Sequence, residues 1–161
     1  MSTVGLLILR VVIAVVCVLH GAHVLFAAYG GAGTGIGPGG LDAAATGFSA
    51  IGLPGYPMAV LAGLTQLLGG VLLLVGYLTR WAAIALAAFV AILGWKSQLQ
   101  WGFFLNWVGE PGRGHGYEFT LVLTAALVCL ALSGGGDWSV DGRLARRASY
   151  LAAGRARLRR G

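Results

Sequence analysis

The chain has 161 residues, of which 58% are hydrophobic and only 10% charged, whereas a typical soluble domain carries about 25% charged residues. Its formal net charge is +6, from 11 basic and 5 acidic residues. Charged residues are too few to cover a soluble particle, and the hydrophobic residues fall in long runs. The composition therefore excludes an ordinary soluble domain and indicates an integral membrane protein.

Four apolar segments predict membrane-spanning helices at about residues 4–28, 58–78, 80–99 and 115–133. A helix needs ~20 residues to cross a ~30 Å hydrocarbon core. The first two segments reach that length, whereas the last two need flanking turns and long cationic side chains to span. We therefore predict an all-α fold, an integral membrane four-helix bundle in residues 1–138, followed by a basic tail in residues 139–161.

The distribution of basic residues predicts the orientation of this bundle. With four spans both termini share one side, and nine of the 11 Lys and Arg residues lie there, against Lys96 and Arg113 on the other side. Cytoplasmic loops carry the excess of positive charge. We expect both termini in the cytoplasm and the protein in the cytoplasmic (inner) membrane. A cleaved signal peptide is the alternative for the first segment, but no charge precedes Arg10 and two histidines interrupt the apolar run.

The first connection begins with the Gly-rich stretch GGAGTGIGPGG, residues 30–40. It contains G-x-G-x-x-G spacing, but no strand precedes it and no dinucleotide-binding helix follows, so we interpret it as a linker. Residues 41–51 then predict a short interfacial helix with Asp42 near its N-cap. A turn around Thr79 and Arg80 predicts an antiparallel hairpin of the second and third helices. The next loop is rich in aromatic residues and is typical of an interfacial belt.

The tail from Asp141 onward has one acidic residue and seven arginines, and Leu144, Leu151 and Leu158 recur at every seventh position. This pattern favours a segment that lies on an anionic membrane surface. Retention of the topology, with no partner, is a simpler interpretation. Nucleic-acid binding is an alternative for any Arg-rich tail, but we expect no nucleic-acid partner beside a membrane domain.

Polar groups within the spans are costly in hydrocarbon and mark candidate functional positions. On the second helix Gly63, Gln66 and Gly70 share one face, where small residues allow close helix approach. If that face meets the first helix, His20 and Gln66 meet. We predict a ligand pocket in the outer half of the bundle that involves His20, Gln66 and Glu118. The structural alternative is that His20 bonds a helix carbonyl, while Glu118 pairs with Lys96 or caps the fourth helix.

A metal or haem site is a further alternative. The pairs His20-x-x-His23 and His115-x-x-Glu118 have the spacing of two ligands on one helical face. No C-x-x-C-H motif for covalent haem is present, and Cys17 and Cys129 are 112 positions apart with no C-x-x-C motif. The cysteines therefore do not form a zinc motif, and we interpret them as small buried hydrophobic residues.

Five stretches together resemble the DoxX family of four-helix membrane proteins over about residues 5–144. They are LLILRVVIAVVCVLHGAHVLF, GLPGYPMAVLAGLTQLLGGVLLLVGYLTRWAAIAL, GFFLNW, GYEF and DWSVDGRL. The resemblance implies a bundle with both ends cytoplasmic. It also connects the chain loosely to DoxD, the small subunit of a thiosulfate:quinone oxidoreductase, and to membrane oxidoreductase complexes in which DoxX proteins serve as anchors.

The resemblance also implies which positions of this sequence are polar throughout the family. The family's recurrent polar positions correspond here to Arg10, His20, Arg80, Asn106 and Glu118. This adds Asn106 to the ligand-binding candidates, whereas we assign structural roles to Arg10, Arg80 and Lys96. The sequence departs from the family at Gln66, where many members have Glu. An amide forms hydrogen bonds but does not shuttle a proton, which leaves Glu118 as the remaining acid.

These observations lead to two functional expectations. The first is an accessory or anchoring subunit of a membrane redox complex linked to quinone, with a protein partner and without catalysis of its own. The alternative is an autonomous membrane protein that binds a quinone-like ligand, or a metal or haem, in the outer half of the bundle. For the pocket we expect Glu118→Gln to reduce ligand binding or turnover. In both cases the lipid bilayer is a partner, with anionic lipid at the tail.

Overall fold

The computed structural model describes residues 3–30 and 38–158. This part of the chain contains six α-helices, one short 3-10 helix and no strand, which confirms the all-α prediction. The helices are α1 (Thr3–Phe26), α2 (Gly40–Ala50), α3 (Gly55–Val75), α4 (Thr79–Ser97), α5 (Glu118–Ser133) and α6 (Val140–Leu158), with the 3-10 helix at Leu99–Trp101. Residues 31–37 of the Gly-rich stretch, and Arg159 and Arg160 of the tail, lie outside the described residues.

Three of the helices are long and apolar enough to cross a membrane: α1 with 24 residues, α3 with 21 and α4 with 19. Helix α5 has 16 residues, which gives about 24 Å at ~1.5 Å per residue. It begins at Glu118 rather than at residue 115, because the main-chain N–H groups of residues 116–118 donate to carbonyls of residues 102–104. The helix is shorter than the ~20 residues that a span needs, so the crossing of the membrane by α5 stays a prediction.

The other helix ends have local causes. Helix α1 ends at Phe26, because Ala27 and Tyr29 adopt positive φ angles of 54° and 62°. Helix α3 begins at Gly55, three residues before the predicted position, with prolines before and inside its first turn, where a missing N–H is tolerated. It ends before Gly76, whose φ of 74° gives a left-handed C-terminal cap.

The four apolar helices run alternately up and down. Residues 76–78 join α3 and α4 in the predicted antiparallel hairpin, α1 packs mainly on α3, and α5 packs mainly on α4. The proximal end of the bundle is where α1 and α4 begin and α3 and α5 end. The distal end is the opposite end, which carries α2 and the loop of residues 98–117.

The small face of α3 packs on α1. A methyl group added at Gly70 would lie 2.8 Å from the main-chain N of Val18 and 3.0 Å from the carbonyl O of Ala14, and one at Gly63 would lie 2.6 Å from Leu25 Cδ2. Side chains at these positions would force the helices apart. Glycine therefore sets the distance between α1 and α3.

A cluster of buried apolar side chains joins the four apolar helices. Its largest fully buried members come from the end of α3, the middle of α4 and the end of α5, and they are Leu73, Leu86, Leu127 and Leu130. Ile13, Ala14 and Cys17 complete this cluster from α1. These contacts hold the four apolar helices together.

Polar contacts to the segment after α5 close the proximal end. Arg10 is 2% exposed, and its Nη1 and Nη2 donate to the carbonyls of Gly135 and Trp138 at 3.1 and 2.8 Å. The carboxylate of Asp141 accepts from the main-chain N–H groups of Leu78 and Thr79 at 2.9 and 2.8 Å. The turn after α5 is thereby attached to α1, and the first turn of α6 is attached to the start of α4.

Candidate ligand site at the distal end

A cavity of about 220 Å³ lies between all four apolar helices at the distal end. We call it the distal cavity. Its walls combine apolar and aromatic side chains with a few polar ones, as small-molecule sites do. The polar residues in the wall are His20 of α1, Gln66 of α3, Ser97 and Gln98 at the end of α4, and Thr120 of α5.

His20 lies in the wall of this cavity with a defined tautomer. Its Nδ1 lies 2.9 Å from the carbonyl O of Val16, one turn earlier in α1. A carbonyl only accepts hydrogen bonds, so Nδ1 carries the proton and donates. In the neutral imidazole Nε2 then has a free lone pair. The bond to a helix carbonyl is the predicted structural role of His20, and it leaves the second ring nitrogen available to a ligand.

Gln66 and His20 line the same cavity, as predicted for helices that meet through the small face of α3. Within the described residues the Gln66 side chain makes no hydrogen bond to another group, and it is half-buried. Its amide therefore offers both a donor and an acceptor to the cavity.

Sequence reasoning missed a second amide in the wall. Thr120 Oγ1 donates a 2.5 Å hydrogen bond to Gln98 Oε1, which leaves the Gln98 NH₂ group as a donor. Ser97 Oγ donates to the carbonyl of Leu93 at 2.7 Å. The sequence pattern predicts a loop position for Gln98. Its only sequence signal is its position. It directly follows one predicted span, at the same end of the bundle at which the next span begins with polar residues.

A larger and almost wholly apolar groove of about 450 Å³ adjoins the cavity on α1. We call it the α1 groove. Among the described residues, it is lined by Val16, Leu19, His20, His23 and Tyr29, and Leu19 is 42% exposed. Val16 and His20 belong to both the groove and the distal cavity. These two residues of α1 therefore form a wall that the two spaces share.

Two predicted ligand-binding residues, Asn106 and Glu118, do not line the distal cavity. Glu118 Oε2 accepts from the main-chain N–H of Leu105 at 3.3 Å. The Asn106 amide donates to the carbonyls of Glu110 and Arg113 at 3.0 and 2.9 Å and accepts from Glu110 N at 2.9 Å. Both side chains organise the distal loop.

The ion pair of Glu118 with Lys96, one of the structural alternatives, is not formed among the described residues. Ion pairs within the described residues join Arg113 to Glu110 and Arg146 to Asp137, so Glu118 is not paired with Lys96. Its carboxylate lies in the first turn of α5, where the helix dipole favours an anion.

The histidines of the two pairs proposed as metal ligands bond main-chain groups. His23 Nδ1 lies 3.0 Å from the carbonyl of Ala28, whereas His115 Nδ1 accepts from the main-chain N–H of Asn106 at 3.2 Å. Among the described residues no three His, Cys, Asp or Glu side chains come together. Cys17 is buried and free, and Cys129 is free and exposed rather than buried.

The fold and the cavity define a helical membrane protein with a small polar space among its spans. The chain belongs to the DoxX family, whose family model matches residues 5–96. A membrane protein of Mycobacterium tuberculosis, described as uncharacterized, is 36% identical over 110 residues, which cover 66% of this chain and 68% of that protein. No solved structure matches the chain. The family match includes α1 to α4 and ends before the distal loop.

Proposed function

We propose that this DoxX-family protein binds a lipid-soluble ligand of the quinone class, with the headgroup in the distal cavity and the apolar tail along the α1 groove. The observation that carries the proposal is the shared wall at Val16 and His20, with a small, partly polar cavity on one side and a larger apolar groove on the other. A ligand with a compact polar head and a long apolar tail suits two such neighbouring spaces.

The sizes of the two spaces support this class of ligand. Sites for whole drug-sized molecules have volumes of about 300–1,000 Å³, whereas the distal cavity has about 220 Å³. It therefore has room for one ring rather than for an extended molecule. The groove lies on an exposed side of α1, which in a bilayer is open to lipid, so a membrane-dissolved ligand would enter from the side.

The hydrogen-bonding groups fit both forms of such a headgroup. The amide N–H groups of Gln66 and Gln98 would donate to carbonyl oxygens, and the free Nε2 lone pair of His20 would accept from a hydroxyl. A bound quinone would supply two-electron redox chemistry. His20 is the residue that would hold or release a proton there, since its imidazole carries a proton on one ring nitrogen and a lone pair on the other. Gln66 has no such role, because an amide does not titrate.

A matched pair of glutamines tests the site. Gln98 lines the cavity, whereas Gln100, two residues later, is exposed and bonds only the carbonyl of Ser97 at 3.4 Å. We expect Gln98→Leu to weaken binding of a decyl-tailed benzoquinone by the purified protein in lipid–detergent micelles by about ten-fold, the loss of one buried hydrogen bond. Gln100→Leu should leave it unchanged. Equal affinities of the two variants, measured by tryptophan fluorescence quenching, would contradict the proposal.

The distal loop favours a second function, that of an accessory or anchoring subunit of a membrane redox complex. The Asn106 hydrogen bonds hold a loop on which Trp107 is 79% and Val108 94% exposed. Large exposed apolar side chains on an organised loop are typical of protein contact sites. We expect a cofactor-bearing redox subunit to co-purify stoichiometrically with the protein and to be lost from Trp107→Ser with Val108→Ser. A partner without a redox cofactor, or retention by this variant, would contradict this function.

We also propose that both termini are cytoplasmic, in the cytoplasmic membrane. Lys and Arg lie mainly on the proximal side of the bundle, and α6 extends the basic surface there with Leu144, Leu151 and Leu158 exposed. A helix with this pattern suits an anionic bilayer surface. A reporter active only in the cytoplasm should be active when fused after Gly161 and inactive when inserted at Glu110. The reverse result would invert the topology.

A further inference from the structure

A second cavity, of about 440 Å³, lies at the proximal end of the bundle. We call it the proximal cavity. The first turn of α4, the Gly-rich turn after α5 and the first turns of α6 form its walls. Trp81 in its wall is 72% exposed, and Trp138 nearby is 59% exposed. Exposed tryptophans in membrane proteins lie at the level of the lipid headgroups, so the cavity opens at that depth.

Arg80 supplies an unpaired cation to this cavity. Within the described residues its guanidinium has no ion-pair or hydrogen-bond partner. It lies over the turn after α5, where a methyl group added at Gly134 would be 3.2 Å from Arg80 Nε. A guanidinium in this position can donate several hydrogen bonds to one tetrahedral anion.

A buried hydroxyl lies beside Arg80. Thr79 is fully buried and lines the proximal cavity, and its Oγ1 has no hydrogen-bond partner in the part of the chain that the structure describes. The hydroxyl lies toward Gly135, another wall residue, since a methyl group added there would be 2.7 Å from Thr79 Oγ1. A buried polar atom left unpaired costs free energy, and an acceptor placed in the cavity would remove that cost.

The charged residues of the cavity wall are Arg80 and Asp141. The Asp141 carboxylate already accepts the main-chain N–H groups of Leu78 and Thr79, so the amino end of α4 offsets part of its charge. Arg143 and Arg147 of α6 are exposed nearby on the proximal side. Basic residues at headgroup depth attract anionic lipids.

From these observations we propose that the proximal cavity binds the phosphate of an anionic phospholipid, with Arg80 as its cationic partner and Thr79 as a hydroxyl donor. The site is independent of the quinone-class site at the distal end. The lipid would hold α4 and α6 together at the headgroup level, where the bundle meets its basic tail.

Native mass spectrometry of the full chain tests this site. The protein is extracted from vesicles of equal parts phosphatidylglycerol and phosphatidylcholine, and the retained lipids are counted. We expect one phosphatidylglycerol per chain in the wild type and about a five-fold loss in Arg80→Gln, the effect of one basic residue at an anionic surface. Thr79→Val should also lower retention, and Arg80→Lys should keep most of it.

Arg155→Gln is the matched control, because it removes the same charge from an exposed position on α6 away from the cavity. It should retain the lipid as the wild type does. Equal retention in Arg80→Gln and Arg155→Gln would overturn the proposal, as would loss of the lipid in 20-fold excess inorganic phosphate, which would assign the site to the free ion. A thermal unfolding curve for each variant separates lipid loss from misfolding.

Discussion

The carboxylate of Asp141 accepts a 2.8 Å hydrogen bond from the main-chain N–H of Thr79, 62 residues earlier in the chain. Its other oxygen accepts from Leu78 N at 2.9 Å, and Leu78 has a φ of 50°, in the left-handed region that non-glycine residues seldom adopt. Asp141 is thus the N-terminal cap of α4, supplied by α6.

Removal of this cap should destabilise the protein. We expect Asp141→Ala to lower the free energy of unfolding by about 1–2 kcal/mol, the range for loss of a helix cap. The measurement is reversible SDS unfolding in lipid–detergent micelles. Asp137→Ala is the control: Asp137 pairs with Arg146 at 3.4 Å, but its side chain is 70% exposed, so its loss should cost less than ~1 kcal/mol. Equal losses in the two variants would contradict the capping role.

Arg10 should contribute more than an exposed arginine. Arg10→Leu leaves the carbonyls of Gly135 and Trp138 without their donors, and we expect a loss of about 2–3 kcal/mol in the same unfolding measurement. Arg10→Lys should recover part of it. Arg143→Leu, at an exposed position of α6, should change stability by less than ~0.5 kcal/mol. An unchanged free energy of unfolding in Arg10→Leu would contradict this prediction and show that water replaces these contacts.

The contact between α1 and α3 should not tolerate a methyl group. Gly70→Ala places a carbon 2.8 Å from Val18 N, and main-chain atoms cannot move aside cheaply. We expect a destabilisation of about 1–3 kcal/mol, typical of overpacking. Gly47→Ala is the matched control, since no atom of the described residues lies within 4 Å of its added methyl, and the helix propensity of Ala should stabilise α2. If both variants changed the free energy of unfolding in the same direction, the close approach of α1 and α3 would be contradicted.

Asn106 should control proteolysis of the distal loop. Asn106→Asp turns two donor bonds into repulsion between a carboxylate and the carbonyls of Glu110 and Arg113. We expect trypsin to cleave after Arg113 about ten-fold faster, because local opening becomes ~1.4 kcal/mol easier. Gln100→Glu introduces the same charge outside this network and should leave the rate unchanged. A rate unaltered in Asn106→Asp would mean that the loop is open in both proteins.

Glu118 should affect the loop and not the ligand. Its carboxylate bonds Leu105 N and does not line the distal cavity, so we expect Glu118→Gln to change benzoquinone affinity by less than about two-fold, well below one buried hydrogen bond. This differs from the expectation drawn from sequence alone. A ten-fold loss of affinity would return Glu118 to the site.

The sequence predicts the helices well because apolar length and helix-ending residues are local properties. The small face of α3 and its meeting with α1 also follow from spacing, since Gly63, Gln66 and Gly70 recur on one side of a helix. His20 and Gln66 therefore reach one cavity as predicted. The family match confirms the resemblance to the DoxX family, and the helices of the described residues confirm the all-α class.

The distal residues were harder to predict because the loop of residues 98–117 folds by nonlocal hydrogen bonds. Main-chain bonds from residues 116–118 to residues 102–104 shorten α5 and turn Glu118 toward Leu105. Asn106 uses its amide within the same loop. Gln98 and Thr120, which form a wall of the cavity, are 22 residues apart, and no periodic pattern in the sequence joins them.

The partners of Arg10 have a consequence for biosynthesis. Gly135 and Trp138 are 125 and 128 residues further along the chain, so the first helix enters the membrane with a charge whose acceptors have not yet been synthesised. An arginine unsatisfied within the bilayer is costly. The proximal end is therefore completed only after α5 and the turn that follows it leave the ribosome, and a chain truncated before residue 135 would present an unpaired intramembrane cation to the cell's quality-control proteases.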